Sequence, residues 1–219
     1  MNKGRLEAFS DGVFSIVVTL LVFSIKLPVL QQPVTDVQLW KGIAPLAPII
    51  SVYFITFAVL SVLWVNHHFL FHAFAKSIDR WLNLLNLAYL MFVAFVPFSA
   101  QLIGEYPTHQ PAALVYGINL LVIILLSSSM LYYMRTNREK FLSPAISQRL
   151  INQARFRAYL SISCYVIGIA LSWLSPALSI FFYAFPVVFN IIPGTVDAAE
   201  RLFGFDLGEG DVPANWEEQ

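Results

Sequence analysis

The stretch FSDGVFSIVVTLLVFSIKLP (Phe9–Pro28) holds one acid near its start, one lysine near its end, and otherwise small, hydroxyl or apolar residues. Wound as a helix at ~1.5 Å per residue it spans ~30 Å, one hydrocarbon thickness of a bilayer. Pro28 and Pro33 then end it, because proline lacks the amide hydrogen that a further turn needs. Lys3 and Arg5 ahead of the run resemble the start of a signal peptide. Glu7 and Asp11 interrupt that pattern and no soluble domain follows, so the run reads as a retained first span.

Outward from this span the same texture repeats. The chain of 219 residues is 58% hydrophobic and 12% charged, with a mean hydropathy of +0.70, against about a quarter charged in average soluble domains. The spacing predicts a second helix from near Gly42 through Pro45 and Pro48 to about Phe74, and a third over Trp81–Ile103, closed by Gly104 and Pro107. A fourth begins after Pro111, which suits a first-turn position, and runs to about Met134. Arg135–Arg157, polar and basic with Pro144 inside it, reads as a cytosolic loop. A fifth span (Ala158–Leu174) and a sixth (Ala177–Ile192) are separated by little more than Ser175-Pro176, which forces a hairpin; Pro193-Gly194 ends the sixth. The expected fold is all-α: a polytopic bundle of six transmembrane helices, residues 1–204, followed by an acidic, flexible tail at 205–219.

Basic residues near span ends are retained in the cytosol. In this layout Lys3, Arg5, Lys76, Arg80, Arg135, Arg138, Lys140, Arg149, Arg155, Arg157 and Arg201 fall on one face and only Lys26 and Lys41 on the other, 11 against 2 of the 13. Both termini are therefore expected in the cytosol. The opening pattern has no second copy downstream, so a symmetric pore has to come from several chains.

Several chemistries are excluded or disfavoured. A formal net charge of +0 with scattered basic residues gives no footprint for nucleic acid. Cys164 is alone, so one chain can build no disulfide and no thiolate cluster. His67, His68 and His72 invite a metal, yet no acid or cysteine joins them, and there is no His-Glu-x-x-His, Gly-x-Ser-x-Gly or phosphate-loop pattern. No catalytic residue, resident metal or cofactor is expected, and no enzyme.

Ionisable residues near a membrane are costly and mark function or a partner. Arg5 and Asp11 lie within a turn or two of the boundary, where a solvated helix start accounts for them equally well. The second helix returns to the same depth with Trp64, Asn66, His67 and His68. At 100° per residue, Gly12, Ile16, Thr19, Leu20, Phe23 and Leu27 fall on one stripe of the first helix, and on periodicity alone such a stripe is more often packing than pore.

Arg5, Phe9, Ser10 and Asp11, as Arg-x-x-x-Phe-Ser-Asp followed by Gly12 and an Ile/Val/Thr-rich helix, resemble the transmembrane protein 175 family of potassium channels. Trp64-Val-Asn-His67-His68 is similar to that family's second landmark. The resemblance implies a channel whose first helices surround a central axis, without the Thr-Val-Gly-Tyr-Gly filter loop of other potassium channels; this chain has no such loop. It implies a hydrophobic constriction at Ile16, continued by Leu20 and Phe23, with Thr19 offering a hydroxyl to potassium as the permeant ion. Phe23 is bulkier than the aliphatic residue expected at its level. It also implies that Arg5, Ser10 and Asp11 join Trp64, His67 and His68 in a polar network fixing the pore helix, and that a single-copy, prokaryotic-type member assembles as a homotetramer in the plasma membrane. Two rivals stand beside it: a proton-coupled secondary transporter using Asp11 with His67 and His68, and a scaffold with a sealed core in which Ile16 and Phe23 simply pack.

Overall fold

The computed structural model describes residues 3–30, 32–142, 146–192, 194–203 and 207. The first span is an α-helix, α1 (Lys3–Leu20), tightening into a 3-10 turn over Leu21–Ser24. It starts earlier than its apolar run and loses α geometry sooner, so Leu27 stands beyond the helix and off the expected stripe. Extended chain then leads to α2 (Asp36–Ile43), begun by a capping box in which the Thr35 side chain accepts from the Gln38 amide while the Gln38 side chain answers the Thr35 amide. A 3-10 turn over Ala44–Leu46 joins α2 to α3 (Ala47–Phe69), which finishes as a π turn over Leu70–Phe74. The second helix thus begins at Asp36 rather than near Gly42: Pro45 and Pro48 each sit at the start of a segment, where their missing amides cost nothing.

The third span is α4 (Arg80–Ala94), capped by the Asp79 side chain accepting from Leu82 N–H at 2.9 Å, then α5 (Val96–Glu105). Pro97 lies in the first turn of α5 and divides the two. The fourth is α6 (Gln110–Thr136), with Pro111 in its first turn. A short α7 (Arg138–Phe141) and α8 (Gln148–Leu171) follow. The expected loop to Arg157 is therefore helix from Gln148 onward: Ser147 caps it by accepting from Leu150 N–H, and the polar residues 148–157 continue the fifth helix past its apolar part. Pro144 lies outside the described residues.

A turn at residues 172–175 leads to α9 (Pro176–Ile191), which contains Pro186, and then to α10 (Thr195–Phe203), a helix not expected from the hydropathy pattern. Pro193 and the acidic tail at 205–219, Leu207 excepted, lie outside the described residues.

Five helical stretches are long and apolar enough to cross a bilayer: Lys3–Ser24, Asp36–His72, Arg80–Glu105, Gln110–Thr136 and Gln148–Leu171. A sixth is reached if α9 and α10, bent by 104°, count as one span. The 16 residues of α9 alone rise ~24 Å, short of a full hydrocarbon crossing. The protein is an all-α integral membrane protein, and no strand occurs among the described residues.

α6 occupies the middle, packed on α4, α5, α8 and α9, while α1 packs at the margin on α3 and α4. In a bilayer, close approach of helices replaces the hydrophobic effect as the main source of packing energy. Gly117 of α6 and Gly168 of α8 both lie against the Tyr183 ring, leaving no room for a methyl group at either, and Tyr183 Oη donates to Ala113 O at 3.1 Å. At the basic end, the segment before α4 is zipped onto α7. Ala75 pairs with Leu142, Lys76 N–H donates to Phe141 O at 2.6 Å, and Ser77 Oγ donates to Lys140 O at 2.8 Å.

Candidate functional site

α1 has two unlike faces. Leu6, Ser10, Phe14, Val17 and Leu21 are buried against α3 and α4. Gly12, Ile16, Thr19, Leu20 and Phe23, on the opposite side, are all exposed, Ile16 at 60% and Phe23 at 74%, where Phe14 and Val17 retain only 2% and 3%. The stripe is therefore not the core of a single chain, and the sealed-scaffold reading, in which Ile16 and Phe23 pack, does not describe this subunit.

The hydroxyls on this face are turned inward along the helix. Thr19 Oγ1 donates to Ser15 O at 3.0 Å or Ile16 O at 2.8 Å, and Ser15 Oγ donates to Asp11 O at 2.8 Å. With its hydrogen committed to the backbone, the Thr19 oxygen keeps its lone pairs for a cation or water on the exposed side.

The polar anchor is built from three helices, and one of its members went unnoticed in the sequence. Trp64 Nε1 on α3 donates to Asp11 Oδ1 on α1 at 2.8 Å. His67 Nε2 lies 2.7 Å from Asn86 Oδ1, and Asn86 Nδ2 donates to Ser10 Oγ at 3.1 Å. A carboxamide oxygen only accepts, so His67 carries its hydrogen on Nε2. Asn86 thus bridges α1 and α3 from α4, wholly buried along with Ser10. It sits in an apolar helix, and its one signal was being a polar residue there, which becomes meaningful once α4 is seen to pack against α1.

His67 is enclosed by aromatic rings, Phe71 at 4.7 Å, Tyr89 at 5.3 Å and Phe14 at 5.8 Å between centroids. His68 does not join the hydrogen-bonded cluster; it is exposed and stacks between Trp64 at 5.7 Å and His72 at 5.0 Å. Arg5 is also exposed and makes no hydrogen bond or ion pair among the described residues. Within one chain, then, Ser10, Asp11, Trp64 and His67 come together, and Arg5 and His68 stand outside. Among the described residues no group of three or more His, Cys, Asp or Glu side chains is arranged to hold a metal.

Fold and site define a polytopic membrane protein whose first helix is anchored by polar bonds on one side and bare on the other. The profile described as endosomal/lysosomal potassium channel TMEM175 matches residues 5–97, from the first motif through α4. A Streptomyces collinus protein named as a potassium channel is 34% identical over 185 residues, 82% of this chain and 87% of its own length. A Chryseobacterium protein so named is 31% identical over 88% of this chain and 94% of its own. The crystal structure of a lysosomal potassium-selective channel TMEM175 homolog from Chamaesiphon minutus superposes with a TM-score of 0.73 at 32% identity, covering 86% of this chain and 96% of that one. The chain belongs to the TMEM175 family of ion channels, and it is not an enzyme.

Proposed function

We propose that the chain is a potassium-selective channel, four copies of which set their α1 helices around a central axis, with Ile16, Thr19, Leu20 and Phe23 on the wall. The exposed stripe of α1 carries this reading. An exposed apolar face suits lipid as readily as other copies of the chain, and membership in a channel family favours the copies. Relatives named as potassium channels point to the ion.

Ile16, with Leu20 one turn on, supplies a ring of branched apolar side chains that expels water when narrow, so conduction is passive and gated by dewetting. Thr19, with its lone pairs free, is the polar relay between apolar rings. The Trp64–Asp11 bond and the Ser10–Asn86–His67 chain hold α1 at a fixed rotation, and a fixed rotation decides which residues face the axis. Positive residues concentrate at one end, so that end is cytosolic, and in a prokaryotic-type member the membrane is the plasma membrane.

The test is flux through purified protein in liposomes under a potassium gradient, with reversal potentials against sodium. Ile16→Asn is expected to raise potassium conductance by lowering the cost of wetting the ring. An Ile16→Asn protein that conducts like wild type, or a wild type that is monomeric and passes no cation current, would refute the pore. Saturable, proton-dependent uptake at turnover far below channel rates would instead favour a carrier using Asp11 with His67 and His68.

A further inference from the structure

Away from α1, the basic half of the bundle encloses a cavity of about 300 Å³ between α3, α6, α8 and α9. Val65, Phe69, Ile124 and Leu131 make its walls apolar, while Ser128, Gln153, Asn190 and Arg157 supply polar groups. A second hollow of about 130 Å³ shares Ser128, Leu131 and Ala158 with the first and adds Arg135 and Arg155. No aspartate or glutamate lines either one.

Arg135, Arg155 and Arg157 are each half-buried, and none makes an ion pair with a carboxylate among the described residues. Arg157 Nη1 reaches only Asn190, at 3.4 Å to Oδ1 and 3.5 Å to the carbonyl oxygen. Arg155 lies over the Tyr159 ring, 5.8 Å from its centroid. The carboxylate within electrostatic reach of Arg157 is Asp197, and it is already held by Arg149 at 3.1 Å and by Gln153 at 3.3 Å. Arg149, one helical face away, has two acids, Asp197 and Glu200, so among the described residues the same helix pairs one arginine with two carboxylates and two with none.

Half-burying a guanidinium among apolar helices is costly without an anion. Arg157 lies nine residues into α8, ~14 Å along its axis, directly before the apolar run that begins at Ala158. The planar donor fork of arginine matches the oxygens of a phosphate.

We propose that these joined cavities bind the phosphate of an anionic membrane lipid, with Arg157 gripping the phosphate, Arg135 and Arg155 completing the charge, and the acyl chains lying along Val65, Phe69 and Leu131. The apolar walls favour a lipid phosphate over a free one. Bound there, the lipid ties α3, which carries Trp64 and His67, to the α8–α9 hairpin, and so links lipid composition to the anchor of α1.

The test uses delipidated full-length protein in a neutral detergent. Binding of phosphatidylglycerol, phosphatidylcholine and inorganic phosphate is followed by thermal unfolding and by lipid retention in native mass spectrometry. Phosphatidylglycerol is expected to bind at least fivefold more tightly than phosphatidylcholine. Arg157→Gln should lose that preference, Arg157→Lys should keep part of it, and Arg80→Gln, a basic-end arginine outside both cavities, should keep all of it. If Arg157→Gln fails to fold, the double variant Arg135→Gln/Arg155→Gln carries the test, with an expected loss of at least threefold. Equal binding of the two lipids, equal loss in Arg80→Gln, or protection by inorganic phosphate matching that by phosphatidylglycerol would each overturn the proposal.

Discussion

Replacing Asn86 by leucine keeps a branched side chain of similar reach and removes the bridge between α1 and α3. Two buried groups lose their partner, Ser10 Oγ and His67 Nε2–H. They do not suffer equally. A serine hydroxyl on a helix can turn back to the carbonyl four residues earlier, as Ser15 does to Asp11 at 2.8 Å, so Ser10 can turn to Leu6 O at little cost. The imidazole has no such escape, because Phe71, Tyr89 and Phe14 surround it and it is 2% exposed. Leaving one buried donor unmade costs about 1–3 kcal/mol, so Asn86→Leu should destabilise the folded protein by about that amount, nearly all of it through His67. A double-mutant cycle separates this origin from simple misfit. Interhelical hydrogen bonds in membrane proteins average about 0.6 kcal/mol of coupling and reach about 1.7. The Asn86–His67 pair, fully buried and 2.7 Å long, should fall in the upper half, whereas Asn86–Ser10 should show little. The assay is unfolding of purified protein in one detergent, by heat or by added dodecyl sulfate, for Asn86→Leu, His67→Phe, Ser10→Ala and both doubles. His67→Phe/Asn86→Leu should be more stable than the sum of its singles predicts, since phenylalanine fits the aromatic cage and needs no acceptor. An additive cycle, or an Asn86→Leu protein as stable as wild type within about 0.5 kcal/mol, refutes the bridge as an anchor.

Three further outcomes are expected. Burial opposes ionisation of Asp79, but bonds from Leu82 N–H, Lys140 and Tyr133 outweigh it and hold the carboxyl down at about 2, below its ordinary 3.8. Because the folded value lies below the unfolded one, this group's stabilisation is complete above about pH 4 and lost as pH falls toward 2; Asp79→Asn, which keeps the helix cap, should flatten that part of the unfolding midpoint against pH. Gly117→Ala or Gly168→Ala should destabilise by about 1–3 kcal/mol through overpacking on Tyr183; Tyr183→Phe removes the hydroxyl that a Gly117 methyl would meet first but keeps the ring carbons that a Gly168 methyl would meet, so it should ease the first variant and not the second, as unfolding of the double variants would show. Trp64→Phe removes the bond to Asp11 and frees the rotation of α1, so the conductance change made by Ile16→Asn should differ in its presence; identical changes in both backgrounds would show that the bond does not set the rotation.

The long apolar helices were legible in the sequence because burial in lipid demands long apolar runs and proline punctuates them. Pro45, Pro48, Pro97 and Pro111 mark segment starts as their missing amides require. Boundaries failed where capping rather than hydropathy set them: Thr35 begins α2 ahead of Gly42, and Ser147 begins α8 within residues that look like a loop. Amphipathic α10 went unseen, since a nine-residue polar helix held by Arg149 through Asp197 and Glu200 leaves no hydropathy signal.

For the site, the order of residues is enough to read the make-up of α1: a helix long enough to span, with Ile16, Thr19, Leu20 and Phe23 at helical spacing behind Ser10 and Asp11. Spacing alone leaves an apolar stripe free to face a core or a lumen, because both dry out the same side chains. Only tertiary packing decided that Phe14 and Val17 take the inside of the subunit and Ile16 the outside. It also showed that an asparagine on α4, 76 residues from Ser10, reaches back to bond it. A partner so distant in the chain is invisible until the helices pack, since hydrogen bonds across a bundle are set by rotation and depth, not by order along the sequence.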